Sequence, residues 1–351
     1  MLIDKLHLEN FRSHTMNDYV FSSGINAIIG PNGSGKTSIV EAISLIASGH
    51  SFKGAEDKEL VRRGANYLNI EATTIKGKIA TKVKINVVNG QKRVYIDGTA
   101  IKRLSELIEV LNVVTFEPKE VGLLQGAPRL RRKFLDFAIS KSSPFYLAKL
   151  QEYDKLLSER NKILKEDEID ETHLNIVTDL LIKASQPICE MREKYVKALN
   201  ACLGKVYSRI DSSKKNPQIV YEPFVKVSDA FLIEAKTAFK DALTNDLAKK
   251  VTSIGPQKDD FLITLNGENV ATYGSQGENR IAIIALKLAS HQVVTSREEK
   301  PVVILDDVLS ELDDTHKDKL LTYLKTIDQV FITATHLEKK DDAVHIIDLT
   351  K

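Results

Sequence analysis

Gly30-Pro31-Asn32-Gly33-Ser34-Gly35-Lys36-Thr37 has the spacing G-x-x-x-x-G-K-[ST] of a phosphate-cradling loop. Its surroundings fit as well. Ile25-Asn26-Ala27-Ile28-Ile29 reads as a short buried strand feeding the loop. From Thr37 to about Ala47 a helix follows, with Ile39, Val40, Ile43 and Ile46 on one side. In strand, loop and helix, the glycines let the backbone come close to phosphates, and amide N–H groups at the helix start face the anion. Lys36 would reach the β- and γ-phosphates, and the Thr37 hydroxyl would ligate Mg²⁺. The loop therefore predicts a nucleoside triphosphate.

The second acidic element lies far downstream. Val302-Val303-Ile304-Leu305-Asp306-Asp307 is an apolar strand ending in two carboxylates. Such a strand is the Mg²⁺-side counterpart of a phosphate loop, with Asp306 on the metal and Asp307 orienting or activating water. Gln329 to Ala334 reads as the next buried strand, delivering Thr335-His336 where a γ-phosphate can be sensed. Tyr273-Gly274-Ser275-Gln276-Gly277-Glu278-Asn279-Arg280 opens an apolar helix and offers a second anion site. One phosphate loop per chain leaves that site without a ligand of its own. Two copies pairing head to tail, each loop closing on the other's nucleotide, would give it one.

The bulk properties bound the rest. At 351 residues about two domains are expected, and a formal charge of +2 advertises no global attraction to nucleic acid or membrane. Two distant cysteines, Cys189 and Cys202, have no ligand spacing and read as thiols of a reducing compartment. No apolar run approaches membrane length, and Met1 to Leu6 reads as a strand rather than a signal peptide. A soluble cytoplasmic protein is expected.

Residues 2–11 alternate as a strand, and Arg12 at its end either approaches the nucleotide or stands as an exposed strand-end arginine. Period-two runs from about 68 to 101, turned at Asn89-Gly90 and Asp97-Gly98, predict antiparallel hairpins with a lysine-rich outer face. Arg129, Arg131, Arg132 and Lys133 form the densest basic cluster, with Lys53, Arg62 and Arg63 a second one. Each reads either as a phosphate-contacting patch or as a solvated, locally paired face. Residues 145–207 are mainly helical. Leu147, Leu150, Leu157 and Leu164 have coiled-coil-like spacing, a polar tip lies at 165–171, and Pro187 is expected to kink the return. Each helix of this arm is expected to have roughly 20 residues, about 30 Å. Residues 212–254 read as polar loop plus one helix near 229–250. Phe261 to Leu265 reads as a strand paired beyond Asn266-Gly267.

Taken together, these motifs resemble the SMC-like class of ABC-type ATPase heads found in DNA-maintenance proteins, and within it the RecF family of recombination mediators. The resemblance is carried by Asn10-Phe11-Arg12, Gly30 to Thr37, Pro128 to Asp136 with Arg131-Arg132, and Tyr273 to Arg280. Leu305 to Asp313, followed by Thr335-His336, is its most specific part. It implies an α/β fold: an ABC-type P-loop ATPase head with a mixed sheet, plus a helical second lobe bearing a short antiparallel arm. Residues 1–116 and 254–351 would form the ATPase lobe, and 117–253 the helical lobe. It also implies ATP-dependent homodimerisation, DNA binding, weak DNA-stimulated ATP hydrolysis, and work with RecR and RecO in loading RecA at single-strand gaps. Lys36, Thr37 and Asp306 carry over as ATP and Mg²⁺ ligands, and Ser275, Gln276 and Gly277 as a signature acting in trans. Asp313 carries over as a dimer-loop acid and His336 as a switch histidine. Asp307 stands where a glutamate is usual in the wider class, which implies a slow, switch-like ATPase, since a base misplaced by about 1 Å can lose on the order of 100-fold. The glutamine-bearing loop of that class is assigned to neither Glu117 nor Gln125. The competing expectation is a power-stroke head of another SMC-like or nuclease complex, for which the missing glutamate and short arm are unsuited.

Overall fold

The computed structural model describes residues 1–104, 106–117, 120, 122–295, 301–336 and 343–350. The chain divides into two compact units, the first holding residues 1–120, 209–212 and 291–351, the second 121–208 and 213–290. This boundary differs from the expected one, since residues 254–290 group with the helical unit. The cause is strand pairing within that unit, described below.

In the first unit the chain begins with β1 (Leu2–Phe11), β2 (His14–Val20) and β3 (Gly24–Ile29), followed by α1 (Lys36–Ser48) and the short α2 (Asp57–Leu60). Then come β4 (Tyr67–Lys76), β5 (Ile79–Val88), β6 (Gln91–Ile96), β7 (Thr99–Ala100), α3 (Glu106–Val110) and β8 (Val113–Phe116). Six strands form an antiparallel sheet in the order β2-β1-β4-β5-β6-β7. Two of its hairpins turn at Asn89-Gly90 and Asp97-Gly98, where all four residues have positive φ, the geometry that favours these pairs. Strand β1 buries residues from both of its expected faces, Ile3 and Phe11 as well as Leu6 and Leu8. A register shift between Ile3 and Lys5, and Asn10 at φ 51°, reverse the pleat at each end.

The second unit contains α4 (Gly122–Gln125), α5 (Pro128–Ser142), α6 (Pro144–Ile163), most of α7 (Glu171–Ile210), β9 (Pro217–Glu222) and α8 (Phe231–Lys249). It continues with β10 (Asp260–Leu265), β11 (Glu268–Asn269), α9 (Val270–Tyr273) and most of α10 (Gln276–Thr295). β10 pairs antiparallel with β11 and with β9, a strand inside the stretch read as loop. That pairing draws 254–290 into this unit. The return helix α7 has 40 residues, about 60 Å rather than 30 Å, and stays helical on both sides of Pro187. The buried residues of α6 are Tyr146, Tyr153, Arg160 and Ile163; of the leucines, Leu164 just past its end is buried, Leu150 and Leu157 are half-buried one helical turn from this series, and Leu147 is exposed. Arg160 is fully buried. It bonds Asp246 at 2.7 Å, Thr252 at 2.8 Å and Thr178 at 2.9 Å, and lies 5.3 Å from the Phe239 ring centroid. Ile163 and Leu164 cluster with Leu174 and Val177, and Leu243 of α8 packs against them.

The first unit is completed by β12 (Val302–Asp306), α11 (Asp314–Leu324), β13 (Gln329–Ala334) and β14 (Val344–Asp348). Five strands form a wholly parallel sheet, order β14-β3-β13-β12-β8. Every residue of β12 and β13 is buried, as expected of interior parallel strands. Helix α1 is buried all round rather than on one side: Ile39, Val40, Ala42, Ile43, Leu45 and Ile46 are all solvent-inaccessible, within a core that also takes residues from β1, β4, β5, β12 and β13. The C-terminal ends of β3, β13 and β12, three adjacent strands, therefore open beside the start of α1.

Candidate functional site

The helix start is chemically incomplete. The N-cap of α1 is Gly35, which supplies no side-chain bond, and the first turn carries no acid. Orphan N–H groups at a helix start call for an anion or a cap. The Ser34 hydroxyl is buried and has no hydrogen-bond partner. The Lys36 side chain curls back over the loop, its ammonium donating to the carbonyls of Gly30 at 2.6 Å and Pro31 at 2.8 Å. Gly35 is required on two counts. Its φ is 95°, and a Cβ there would stand 2.7 Å from Nε2 of His14. His14 is buried and its Nε2 lies 3.3 Å from the Gly35 carbonyl, a packing partner of the loop that the sequence reading did not single out.

Across from the loop, Thr37 Oγ1 donates to Asp306 Oδ1 at 2.9 Å, and Thr333 Oγ1 donates to the same oxygen at 2.8 Å. Burial raises the Asp306 pKa above the usual carboxylate range, and the two hydroxyls and the charge of Lys53 oppose the shift. One carboxylate and one hydroxyl fit a hard cation such as Mg²⁺, which takes few protein ligands and completes its shell with phosphate and water oxygens. No cluster of three or more His, Cys, Asp or Glu suited to a metal occurs among the described residues. Asp307 follows with φ 52°, its N–H donating to Thr333 Oγ1 at 2.8 Å. Thr333 thus ties both acids to β13, a link the sequence reading missed although Thr333 stands in the strand beside the acidic one. His336 is exposed just past β13, with Nδ1 3.1 Å from Thr335 Oγ1. Asp313 caps α11 by accepting from the His316 N–H at 3.0 Å and pairs with the His316 ring.

Several expected contacts are corrected. Arg12, at the end of β1, is held by partners within the chain. Its guanidinium grips the fully buried Glu41 at 3.0 and 2.6 Å and donates to the Glu59 carbonyl at 3.0 Å, because a buried carboxylate on α1 demands a cation. Arg131 is removed from the DNA candidates. It is 8% exposed, forks onto Asp260 at 2.7 and 2.8 Å, and donates to the carbonyls of Leu123, Leu124 and Gly126. Arg132 donates to the Asp259 carbonyl at 2.8 Å. Arg129, Lys133, Arg62 and Arg63 are exposed.

In the second unit, Ser275 and Glu278 form a reciprocal capping box at the start of α10. The Ser275 N–H donates to Glu278 at 2.7 Å, and the Glu278 N–H to Ser275 Oγ at 3.2 Å. The Lys215 ammonium bonds Glu278 and, with the Ser275 N–H, holds its pKa low. Asn279, wholly buried, donates to the carbonyls of Val270, Gly274 and Ser275. Ser275, Gln276 and Gly277 are exposed on this braced platform. A Cβ on Gly277 would meet nothing closer than Ser275 Oγ at 3.9 Å. The chain's own packing therefore does not require glycine at 277.

The RecF/RecN/SMC N terminal domain family matches residues 2–351. Among curated proteins, the chain is 34% identical over 344 residues to the DNA replication and repair protein RecF of Lachnoclostridium phytofermentans, spanning 97% of this chain and 94% of that one. It is 32% identical over 348 residues to the RecF of Bacillus thuringiensis, spanning 96% and 93%. A solved structure described as the recombination mediator protein RecF-ATP in the RecFOR pathway superposes with a TM-score of 0.85 at 31% identity, over 97% of this chain and 93% of the other. The Smc head domain of Pyrococcus furiosus, 16% identical with a TM-score of 0.58 over 95% and 89%, shares the fold.

Proposed function

The chain belongs to the RecF/RecN/SMC family, and from that premise we propose that it is an ATP-dependent DNA-binding protein of recombinational repair and replication restart. The observation that carries this reading is the uncapped start of α1, with Lys36 beside it and the Thr37–Asp306–Thr333 couple completing its rim. The triphosphate of ATP is the ligand that satisfies all of these groups. The α1 amides and Ser34 receive phosphate oxygens, and Lys36 leaves its two carbonyls for the β- and γ-phosphates. Thr37 and Asp306 would hold Mg²⁺, which supplies charge neutralisation at the phosphates. Asp307 orients the attacking water, and His336 lies just beyond the adjacent strand to sense the γ-phosphate.

The exposed signature residues at the start of α10 complete the nucleotide site of a second copy. ATP then favours the closed dimer because it contacts both copies only in that state. DNA held by the closed dimer is released when ATP is hydrolysed, slowly and with stimulation by DNA. Asp313, at the cap of α11, would meet the second copy in this reading. RecR and RecO are the direct partners in this reading, and RecA loading at single-strand gaps is the outcome, in the cytoplasm and on the nucleoid. No described helix is long and apolar enough to cross a membrane.

Binding of a fluorescent ATP analogue to wild type, Lys36→Ala and Asp306→Asn tests the nucleotide site. Losing charge-assisted bonds to phosphate should weaken binding about tenfold or more in Lys36→Ala, and Asp306→Asn should lose the Mg²⁺ dependence. Equal affinities in all three would contradict the site. Turnover above about 1 per second would favour a power-stroke head over a switch.

A further inference from the structure

The first turn of α10 carries one acid, Glu278. Both of its carboxylate oxygens are engaged. Oε2 accepts from the Ser275 N–H at 2.7 Å, and Oε1 is bonded by the Lys215 ammonium. The Ser275 contact is local, whereas Lys215 comes from 63 residues earlier in the chain. Lys215 lies in the loop between α7 and β9, and the backbone on either side of it is fixed. Lys214 holds a left-handed conformation, φ 54°. Asn216 is pinned to the turn between β10 and β11. Its N–H donates to Asn266 Oδ1 at 2.8 Å, and its carbonyl accepts from the Asn266 N–H at 3.0 Å. The ammonium thus reaches Glu278 from a constrained position.

The folded chain has little need of this ion pair. An acid in the first turn of a helix is favourable by itself, through the macrodipole and the capping box. The Lys215 and Glu278 side chains are also 37% and 26% exposed, and pairs so open to solvent contribute little to stability. The need arises at the signature. Ser275 Oγ accepts from the Glu278 N–H at 3.2 Å, which leaves the hydroxyl proton to donate to an incoming phosphate oxygen. The residue that braces this hydroxyl therefore carries the same sign of charge as the ligand. Like charges set against each other across an interface oppose association. Lys215 keeps the brace and cancels its charge.

We infer that Lys215 is a positioning residue for the nucleotide contact made in trans: it neutralises Glu278, so that Ser275, Gln276 and Gly277 meet the phosphates of a second copy's ATP without repulsion. This rests on the head-to-tail dimer proposed above and names a residue outside the signature on which that contact depends. Lys215 acts through Glu278 and not on the nucleotide.

The test is dimerisation of the full chain with ATP–Mg²⁺, followed by sedimentation equilibrium at about 0.05 M and about 0.5 M salt. Wild type is compared with Lys215→Met, Lys215→Arg, Glu278→Gln and the double variant that combines Lys215→Met with Glu278→Gln. Glutamine keeps the capping box without the charge. A cooperative denaturant transition in each variant establishes that it is folded. At low salt Lys215→Met should raise the dimer dissociation constant about tenfold or more, while Lys215→Arg and the double variant should stay within about threefold of wild type. High salt should shrink the Lys215→Met defect, since screening weakens repulsion between exposed charges but does not mend a displaced loop. Dimerisation of Lys215→Met equal to wild type at low salt would overturn the inference. A defect that Glu278→Gln does not relieve would overturn it too, because Lys215 would then act on the phosphates directly or on the loop alone. If wild type binds ATP but does not dimerise, the head-to-tail reading fails and this inference with it.

Discussion

Asp307 occupies a left-handed backbone position, φ 52°, held there by the bond from its N–H to Thr333. Asp and Asn tolerate that region better than longer side chains do, so the residue that is one methylene short of glutamate also suits its backbone. Asp307→Asn should therefore leave folding and ATP affinity intact while stopping hydrolysis, measured as phosphate release in single turnover. Hydrolysis at the wild-type rate would remove Asp307 from the chemistry. Arg131 gives the opposite kind of prediction. Truncating one partner of a well-buried ion pair leaves the other uncompensated, so Arg131→Ala should destabilise by roughly 3–5 kcal/mol, read from denaturant midpoints, whereas Arg129→Ala should change stability by well under about 1 kcal/mol. Composition alone could not distinguish the two arginines. Both stand in one basic run, and only the position of Asp260, 129 residues away in sequence, decides that Arg131 turns inward. The same holds for Arg12 and Glu41. Lys36, Thr37 and Asp306 could be singled out from a local spacing or a strand end, and the structure brings Thr37 and Asp306 together.

Elements were legible where local rules act alone. The hairpins at Asn89-Gly90, Asp97-Gly98 and Asn266-Gly267 each combine an Asn or Asp with Gly at positive φ, and each turn follows from its two residues. Strand β9 was missed because its identity depends on β10, some 40 residues later. The leucine periodicity of α6 captured only part of its buried face, because two tyrosines and an arginine whose polar ends find partners inside lie there as well. Helix α5 carries a testable titration in its last turn. Burial, aided by the neighbouring charge of Lys287, pulls the Lys141 pKa down from 10.5 to about 8. The unfolded chain therefore holds a proton that the folded chain lacks between those values. The resulting penalty is fully present below pH 8 and relieved as pH rises toward 10.5. Denaturant midpoints should rise between those limits, and Lys141→Met should flatten the rise. An unchanged profile in the variant would assign the rise to other groups.

At the scale of the whole molecule, the proposed function sets the signature residues of one copy against the nucleotide of another. In that proposal ATP is a dimerising ligand, and the shift in population can be no larger than the difference in ATP affinity between the two states. Gly277 is the position that isolates this step. It is exposed, its added Cβ meets no backbone or core atom, and an acid at a helix start is favourable to the helix itself. Gly277→Asp should therefore fold and bind ATP as wild type does, yet set a carboxylate against the phosphates of the partner's nucleotide. Sedimentation of both proteins, with and without ATP–Mg²⁺, is the most direct test. The account predicts that ATP converts wild type to a dimer and leaves Gly277→Asp a monomer with ATP bound. A wild type that stays monomeric with ATP bound, or a Gly277→Asp that dimerises equally well, would contradict it.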